Sequence, residues 1–355
     1  MKAIQICMLG LTGSGKTELT NKLQQRKELE DEHYRVSSFK QADSLVYVAD
    51  TPYTPENVKT MLALMNESDA CVLCVDATQA MNPKLGELVL FLNYMGHATG
   101  IVAITKTDMT TPDVVDTLKR QMSAVLSEST LKEVQMIGVS TVTEEGLSDL
   151  RSALVNLSPK DRDVALPFKL PVETAQEVKS GITNIIGVIE SGTLKKYDKT
   201  YILPWGKEFI VQEINLHGQI VEEAKAGDRV LIQYKGLNKW DVQTGDVVCA
   251  EGLMEKAKTI KCEIEVSKFF KDKFRQGSEV QLNIGMQTLS VDVVSMTKNG
   301  SDVSDAESGD KVVATFETKI PYAIKKDMTA IVYNPEAHWK SIKVVGSGKV
   351  LEGSE

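Results

Sequence analysis

Short apolar runs alternate with longer amphipathic stretches over residues 1–157. The apolar runs predict β-strands at Ala3–Leu9, Ser44–Ala49, Ala70–Val75, Gly100–Thr105 and Val134–Val139. The intervening stretches predict helices at Glu18–Arg26, Asn57–Met65, Pro83–Tyr94, Pro112–Leu126 and Gly146–Leu157. Alternating strands and helices are typical of a parallel sheet with helices on both faces. Ligands of such sheets bind beyond the carboxyl ends of the strands.

After residue 157 the pattern changes to short β-rich runs separated by glycines, which is typical of small antiparallel barrels or sandwiches. The first block contains Ile182–Glu190, Thr200–Leu203, Phe209–Leu216, Arg229–Tyr234 and Val247–Ala250. The second contains Ile260–Val266, Glu279–Ile284, Leu289–Val294, Lys311–Glu317 and Met328–Tyr333. Linkers are expected at 158–163 and 251–258. We therefore predict an α/β domain at 1–157 and antiparallel β-barrel domains at 166–252 and 258–355.

Composition narrows the classes of function. The 355 residues carry a formal net charge of −8, and the acidic excess lies mainly in residues 1–157. Binding of nucleic acid through overall charge is therefore disfavoured. The 5 cysteines lie mostly within apolar runs. We expect them to be buried thiols of a reducing compartment rather than zinc ligands or disulfides.

No targeting segment is indicated by the sequence. Met1 and Lys2 lead directly into the first predicted strand, which leaves no room for a cleavable signal. No apolar run reaches the roughly 18 residues that a membrane helix needs. We expect a cytoplasmic protein that is monomeric and does not bind membranes.

The segment Gly10-Leu-Thr-Gly-Ser-Gly-Lys-Thr17 fits the spacing GxxxxGK(S/T) and directly follows the first predicted strand. In this motif the backbone N–H groups of a glycine-rich loop surround the phosphates of a nucleoside triphosphate. Lys16 would contact the β- and γ-phosphates, and Thr17 would bind Mg²⁺ through its hydroxyl. The helix that follows would direct its positive end at the anion. The residues expected to bind phosphate are Gly10, Thr12, Gly13, Ser14, Gly15, Lys16 and Thr17.

Polar residues also follow later strands. Asp50 comes after Ser44–Ala49, where a carboxylate can hold Mg²⁺ through water, although Asp-Thr-Pro can also simply begin a turn. Residues 105–108, Thr-Lys-Thr-Asp, close another strand at the position expected for a purine. There the Asp108 carboxylate can accept N1–H and N2–H of guanine, and Lys106 can lie along the base. The remaining residues of the expected base pocket are Thr105, Ser140 and Thr141.

With these motifs in view, the chain resembles a translational GTPase of the EF-Tu and SelB group over nearly its whole length. The segment Asp50–Met61 follows the family spacing DTPGHxxFxxNM. Further family patterns occur at Gly187–Lys195, Ala226–Val230, Thr244–Val248 and Val344–Val350. The resemblance implies an α/β P-loop GTPase domain followed by two antiparallel β-barrel domains. It also implies binding of GTP and GDP with Mg²⁺, and GTP-switched delivery of an aminoacyl-tRNA to the ribosome.

The sequence departs from the family at the catalytic position. The family has a glycine that contacts the γ-phosphate and then a histidine that positions the attacking water, whereas this chain has Tyr53 and Thr54. Threonine can hydrogen-bond a water but cannot act as a protonated histidine can. Thr54 followed by Pro55 also fits a helix N-cap. We therefore expect hydrolysis that is slow or triggered differently.

The family also has a threonine between the phosphate loop and Asp50 whose hydroxyl closes on Mg²⁺ when GTP is bound. The best replacements in this chain are Ser37 and Ser38, in the segment 35–39. This segment is expected to be a loop that the γ-phosphate orders, or else a solvated loop without that role.

The second domain of the family holds the aminoacyl end of tRNA. The segment Leu170–Thr174 matches the strand that lines this pocket, and Arg229 matches an arginine of selenocysteine-specific factors. The resemblance therefore makes Glu173, Thr174 and Arg229 the candidates for amino-acid selection. A surface ion pair of Arg229 with Asp228 or a nearby glutamate is the alternative.

The third domain contains Lys268–Arg275, in which basic and aromatic residues alternate, as in an RNA contact or a solvated charged face. The leading hypothesis is an elongation factor similar to archaeal SelB, a group that includes the relative linked with pyrrolysine. No C-terminal domain for RNA hairpins is expected. The main alternative is a GTP-binding regulator that does not hydrolyse GTP. A barrel-bearing subunit of a metabolic nucleotide enzyme is a weaker alternative.

Overall fold

The computed structural model of the chain describes residues 2–54, 57–337 and 342–355. The chain divides into two compact units, Met1–Lys160 and Asp161–Glu355. The first unit combines helices with a mostly parallel sheet, and the second consists mainly of antiparallel strands. The predicted fold class, an α/β domain followed by antiparallel β barrels, is confirmed. The second unit contains both β-rich blocks, so the boundary between the two barrel domains stays a prediction.

The sheet of the first unit has the strand order β2-β3-β4-β1-β5-β6-β7. Its strands are β1 (Lys2–Leu9), β2 (Arg26–Glu30), β3 (Arg35–Gln41), β4 (Ser44–Asp50), β5 (Ala70–Asp76), β6 (Gly100–Thr105) and β7 (Gln135–Val139). Strands β4, β1, β5, β6 and β7 run parallel, whereas β3 is antiparallel to both β2 and β4. The carboxyl ends of the parallel strands therefore meet at one edge, where the phosphate loop follows β1.

Helices cover this sheet and pack their apolar sides against it. They are α1 (Lys16–Leu23), α2 (Val58–Glu67), α3 (Pro83–Tyr94), α4 (Pro112–Leu126) and α5 (Leu147–Asn156). The starts of α3 and α4 agree with the prediction, because a proline occupies an early position in each. At α3, the Asn82 side chain also accepts a hydrogen bond from the Lys84 N–H across 2.9 Å.

The hairpin of β2 and β3 was missing from the sequence prediction. Residues 35–39 were expected to form a loop, but they lie in a strand that pairs on both sides. The Asp31 carboxylate stabilises the turn by accepting hydrogen bonds from the N–H groups of His33 and Tyr34, at 2.8 and 2.9 Å. Strand β2 was hard to recognise because it is a largely exposed edge strand that contains several charged residues.

The strands of the second unit form two main sheets. The first contains β8 (Lys169–Pro171), β9 (Thr174–Lys179), β10 (Ile182–Val188), β12 (Lys199–Leu203), β13 (Lys207–Leu216), β14 (Gln219–Val221), β16 (Arg229–Lys235) and β17 (Val247–Cys249). A short ribbon of β11 (Thr193–Lys195) and β15 (Glu223–Lys225) accompanies it. The fully buried Tyr234 lies in its hydrophobic core, where its hydroxyl shares a 3.0 Å hydrogen bond with Thr200.

The second main sheet is closed, because β20 pairs with β25 on one side and with β21 on the other. Its strands are β18 (Glu255–Val266), β20 (Glu279–Ile284), β21 (Gln287–Lys298), β22 (Ser301–Asp302), β24 (Lys311–Ile324), β25 (Thr329–Tyr333) and β26 (Val344–Ser354). The ribbon of β19 (Phe274–Arg275) and β23 (Asp305–Ala306) lies beside it. Strand β18 begins at Glu255, so the predicted linker at 251–258 was partly wrong.

The cysteines are buried free thiols, as expected. Cys71 and Cys74 both lie within β5, where burial raises the pKa of each thiol to about 12. Among the described residues, no helix is both long and apolar enough to cross a membrane.

Candidate functional site

The phosphate loop connects β1 to α1 and is folded around its own lysine. The Lys16 ammonium is buried and donates hydrogen bonds to the carbonyl oxygens of Gly10 and Leu11, at 2.7 and 3.1 Å. Burial is the main cause of the lowered pKa of Lys16. Gly13 and Gly15 both have φ near +81°, a conformation that strains residues with a side chain. The loop therefore has the backbone shape that the motif requires.

The two predicted metal ligands lie together. The Thr17 hydroxyl donates to Asp50 Oδ2 across 3.1 Å, which joins the start of α1 to the end of β4. The Asp50 carboxylate is almost fully buried, and among the described residues its Oδ1 has no hydrogen-bond partner. A hydroxyl beside a carboxylate oxygen that lacks a partner is a donor set that suits Mg²⁺.

Ser37 and Ser38 do not lie in a loop that could close on this position. Ser37 is opposite Val48 within the sheet, and the Ser38 hydroxyl donates to Glu28 Oε1 across 2.6 Å. Both serines are buried in β3. The register instead pairs Arg35 with Asp50. The expectation of a mobile loop carrying a metal-ligating serine was therefore wrong, because the strand pairing fixes this backbone.

Side chains of the Thr-Lys-Thr-Asp segment, at the end of β6, form hydrogen bonds with the phosphate loop. The Thr105 hydroxyl donates to the Ser14 carbonyl oxygen across 2.7 Å. The Lys106 ammonium donates to the Gly13 carbonyl oxygen across 2.8 Å and pairs with Asp76 Oδ2 at 2.6 Å. These contacts stabilise the loop from the side where a base would bind.

Asp76 was not singled out from the sequence, although it ends an apolar strand at the same edge as Asp50. Burial alone would raise the pKa of this carboxyl. Hydrogen bonds from Lys106 and Thr78 outweigh the burial and keep the pKa of Asp76 below its ordinary value. The carboxylate therefore stays charged and orients the Lys106 side chain.

The remaining base-pocket candidates follow the ends of adjacent strands. Asp108 is exposed in a short helical turn after β6. The buried Ser140 follows β7, and its hydroxyl oxygen accepts hydrogen bonds from the N–H groups of Val142 and Thr143 at 3.1 and 3.0 Å. Thr141 is half-buried beside it. Ser140 therefore shapes the loop through its side chain, while the Asp108 carboxylate remains accessible.

The Tyr53 side chain reaches α3. Its hydroxyl donates to Glu87 Oε1 across 2.6 Å, and Lys84 donates to the other oxygen of the same buried carboxylate across 3.1 Å. The Tyr53 carbonyl oxygen accepts a 3.3 Å hydrogen bond from the Thr12 hydroxyl. Glu87 could not be found from the sequence, since it lies in an otherwise ordinary amphipathic helix.

Thr54 lies at a bend, where its N–H donates to the Pro52 carbonyl oxygen across 3.2 Å and its carbonyl oxygen accepts from the Asn57 N–H across 3.0 Å. Helix α2 begins at Val58, with Asn57 in the N-cap position. The N-cap at Thr54 stays a prediction, because the neighbouring Pro55 lies outside the described residues.

In the second unit the structure brings Glu173 and Arg229 together as a buried ion pair. Thr174, the first residue of β9, follows Glu173 directly. The Thr244 hydroxyl donates to the Glu173 carbonyl oxygen across 2.9 Å, which fixes the strand end. Arg229 thus pairs with a glutamate, as one form of the alternative expected, but the pair is buried rather than on the surface. The Asp228 side chain accepts from the Lys225 N–H at 2.9 Å.

The basic and aromatic segment Lys268–Arg275 is largely exposed, and its two buried residues are both phenylalanines. Phe270 and Phe274 are buried in the hydrophobic core. Lys273 pairs with Asp305 at 3.3 Å and with Glu307 at 3.2 Å. This arrangement favours a charged surface of the barrel over a dedicated RNA contact.

Known families match two parts of the chain. The model described as "Elongation factor Tu GTP binding domain" matches residues 32–160, and "Elongation factor Tu domain 2" matches residues 183–249. These two regions of the chain are thus similar to the GTP-binding domain and to domain 2 of elongation factor Tu. The resemblance to translational GTPases of the EF-Tu and SelB group is confirmed, and similarity to a GTP-binding domain implies binding of a guanine nucleotide.

Individual relatives agree with this assignment. The chain is 24% identical over 381 residues to a selenocysteine-specific elongation factor of Methanocaldococcus jannaschii, covering 100% of this chain and 81% of the relative. It is 29% identical over 216 residues to elongation factor 1-alpha of Methanobrevibacter smithii, covering 56% of this chain and 52% of the relative. The crystal structure of SelB from Methanococcus maripaludis with the GTP analogue GPPNHP matches with a TM-score of 0.86 at 23% identity. That match covers 100% of this chain and 80% of the SelB chain, which supports the fold.

Proposed function

We propose that this EF-Tu-type protein binds GTP and delivers a specific aminoacyl-tRNA to the ribosome. The observation that carries the nucleotide proposal is the convergence of Lys16, Thr105 and Lys106 on the carbonyl oxygens of one glycine-rich loop. The relatives named as elongation factors support the delivery step. We further propose that the protein acts as a cytoplasmic monomer.

The proposed nucleotide site assigns a role to each predicted residue. Lys16 and the N–H groups of residues 10–17 bind the phosphates, and Asp108 accepts from the guanine ring. Thr17 binds Mg²⁺ and Asp50 holds it through water. Mg²⁺ would neutralise phosphate charge at this position. Lys106 packs along the base, and the loop that begins at Ser140 and Thr141 completes the pocket.

We assign the aminoacyl end of tRNA to Glu173, Thr174 and Arg229. The buried ion pair supports this assignment, because a carboxylate and a guanidinium held in fixed positions can discriminate polar groups on an amino acid. The Arg229 side chain keeps 9% of its surface exposed while that of Glu173 keeps 1%, so the guanidinium is the more accessible partner.

Hydrolysis of GTP is proposed to be slow. The Tyr53 side chain is engaged with Glu87, and Thr54 replaces the histidine of the family. Hydrolysis would be phosphoryl transfer to water, in which catalysis comes from positioning and electrostatics. The same observations favour the second candidate, a GTP-binding regulator that keeps the fold and does not turn over.

The deciding experiment measures protection of aminoacyl-tRNA esters from spontaneous hydrolysis, with the protein in GTP and then in GDP. Several charged tRNAs are compared, including those that carry selenocysteine and pyrrolysine. Protection in GTP that weakens in GDP is the expected result and identifies the cargo. Arg229→Lys should reduce protection, while the exposed control Lys195→Gln should not. Lack of protection for every tRNA in both states would exclude the carrier and leave the regulator.

The proposal on hydrolysis has its own test. Single-turnover GTP hydrolysis is measured for the wild-type protein and for the double variant Tyr53→Gly, Thr54→His, with and without ribosomes. The double variant should hydrolyse GTP faster, since it restores the residue types of the family. A wild-type rate that already rises strongly with ribosomes would contradict slow hydrolysis, and a rate that stays flat would support the regulator.

A further inference from the structure

A positively charged side chain lies beside the two predicted magnesium ligands, Thr17 and Asp50. Arg35 Nη2 donates to Asp50 Oδ2 across 3.0 Å and to the Thr17 carbonyl oxygen across 2.9 Å. Arg35 Nη1 donates to Asn21 Oδ1 across 3.2 Å. The same Asp50 oxygen accepts the hydrogen bond of the Thr17 hydroxyl. One guanidinium thus contacts both residues that a metal ion would use.

The backbone keeps this arginine in place. Arg35 begins β3, and it pairs with Glu30 of β2 on one side and with Asp50 of β4 on the other. Since both neighbours are strands of one sheet, the arginine cannot leave by movement of a loop. Rotation of a side chain, rather than movement of a loop, is therefore what can free the Asp50 carboxylate.

The positive charge and the shape of a guanidinium both favour its contact with a carboxylate. A guanidinium stays protonated throughout the physiological range, and its planar donors suit carboxylate oxygens. The side chain is 19% exposed and that of Asp50 is 5% exposed, so solvent weakens their attraction only partly. A divalent cation that approaches Asp50 therefore meets a cation already bound there.

We propose that Arg35 is a resident cation of the metal site, which competes with Mg²⁺ for Asp50 and makes nucleotide binding weakly dependent on magnesium. This inference rests on the proposed guanine-nucleotide site and goes beyond it, since it assigns the control of metal binding to a residue outside the phosphate motif. With nucleotide bound, the arginine either remains and supplies positive charge beside the phosphates, or rotates away when Mg²⁺ binds.

The test measures the dissociation constant of a fluorescent GDP analogue over a magnesium titration, from excess EDTA to millimolar Mg²⁺. The first variant, Arg35→Gln, keeps a hydrogen-bond donor but removes the charge. The second, Arg35→Lys, keeps the charge but lacks the planar set of N–H donors of a guanidinium. Arg26→Gln is the matched control, because Arg26 lies in the neighbouring strand and its guanidinium lies 3.5 Å from the partly exposed Glu28 carboxylate, away from Asp50. Thermal unfolding of each variant is recorded in parallel.

Arg35→Gln should lower the half-saturating magnesium concentration about tenfold, because a hydrogen bond between charged groups is worth at least that factor. For this variant, the dissociation constant of the GDP analogue in EDTA divided by that in millimolar Mg²⁺ should rise by a similar factor. Arg35→Lys should stay near the wild type, and Arg26→Gln should match it.

Two outcomes overturn different claims. A magnesium dependence that is identical in wild type and Arg35→Gln, with both proteins folded and binding GDP, would overturn the role of Arg35 alone. A purely structural role would lower the melting temperature of Arg35→Gln without changing the magnesium ratio. Absence of GDP binding by the wild type in both buffers would overturn the proposed nucleotide site itself.

Discussion

The Thr105 hydroxyl donates a hydrogen bond to the Ser14 carbonyl oxygen, so the end of β6 supports the phosphate loop directly. The hydroxyl is buried and also lies 3.3 Å from the Val75 carbonyl oxygen. Thr105 therefore links the end of β6 both to β5 and to the loop that follows β1.

Thr105→Val should weaken nucleotide binding and stability together. Valine has a similar shape but leaves the buried Ser14 carbonyl oxygen without this donor, which costs about 1–3 kcal/mol. Denaturant unfolding and GDP titration measure both effects. Thr105→Ser is the matched control, because it keeps the hydroxyl. Equal nucleotide affinities in the valine and serine variants would show that the hydrogen bond does not position the loop.

Replacing only one residue of the Glu173–Arg229 pair should lower the free energy of unfolding more than replacing both. Arg229→Leu leaves the buried Glu173 carboxylate without its guanidinium, and we expect a loss of about 3–5 kcal/mol in the free energy of unfolding. The double variant Glu173→Leu, Arg229→Leu should recover most of that loss. Denaturant unfolding of the four proteins in a double-mutant cycle gives the coupling energy. Additive losses would mean that the two charges do not depend on each other.

The stability of the first unit should decrease in acid because of His97. Burial, with help from the positive charge of Lys160, lowers the pKa of His97 to about 3. An unfolded histidine takes up a proton below about pH 6.5, whereas the folded one remains neutral, so the unfolded state binds more protons in this window. The neutral His97 ring therefore makes its full contribution to the free energy of unfolding above about pH 6.5. As the pH falls from about 6.5 toward 3, this contribution is lost, by at most about 1.4 kcal/mol per pH unit.

Unfolding curves at several pH values test this expectation. The ring donates through Nε2 to the Met65 carbonyl oxygen at 2.7 Å, since a carbonyl can only accept. The variant His97→Gln keeps a side-chain hydrogen-bond donor and cannot titrate. That variant should lose less stability than the wild type between about pH 7 and pH 4. Parallel pH dependences of the two proteins would exclude His97 as the source.

Gly348 should not tolerate a side chain. In β26 a Cβ at this position would overlap the Glu263 carbonyl oxygen of the adjacent strand β18. Gly348→Ala should therefore lower the melting temperature clearly through the forced separation of two paired strands. Gly86→Ala is the contrasting variant, because it lies within α3 with nothing within 4 Å of the added Cβ, and alanine should raise helix stability by up to about 1 kcal/mol.

The elements that repeat a strong pattern were predictable from the sequence. Helices Pro83–Tyr94 and Pro112–Leu126 have the predicted bounds, because a proline marks each start and the apolar spacing is regular. The phosphate loop was predictable because binding of phosphates requires glycines, a lysine and a hydroxyl residue at fixed positions along the chain. Proximity of Glu173 to Arg229 followed from the resemblance, not from any local pattern.

Other features depend on tertiary contacts that no local pattern records. Strand β2 was missed because its charged residues resemble a loop, and this led to the wrong expectation for Ser37 and Ser38. The direction of the Tyr53 side chain depends on Glu87, 34 residues later in the chain. Arg35 was regarded only as the start of a loop, because its contact with Asp50 requires the register of two antiparallel strands.

The closed sheet of the second unit has a consequence for how the protein opens. Strand β20 is hydrogen-bonded on both sides, and the same holds around the ring through β25, β26, β18, β24 and β21. Peeling a single strand from such a ring breaks two ladders at once, whereas an edge strand loses only one. The amide hydrogens of these strands should therefore exchange with solvent as one group at a common slow rate, while those of the edge strand β2 exchange much earlier.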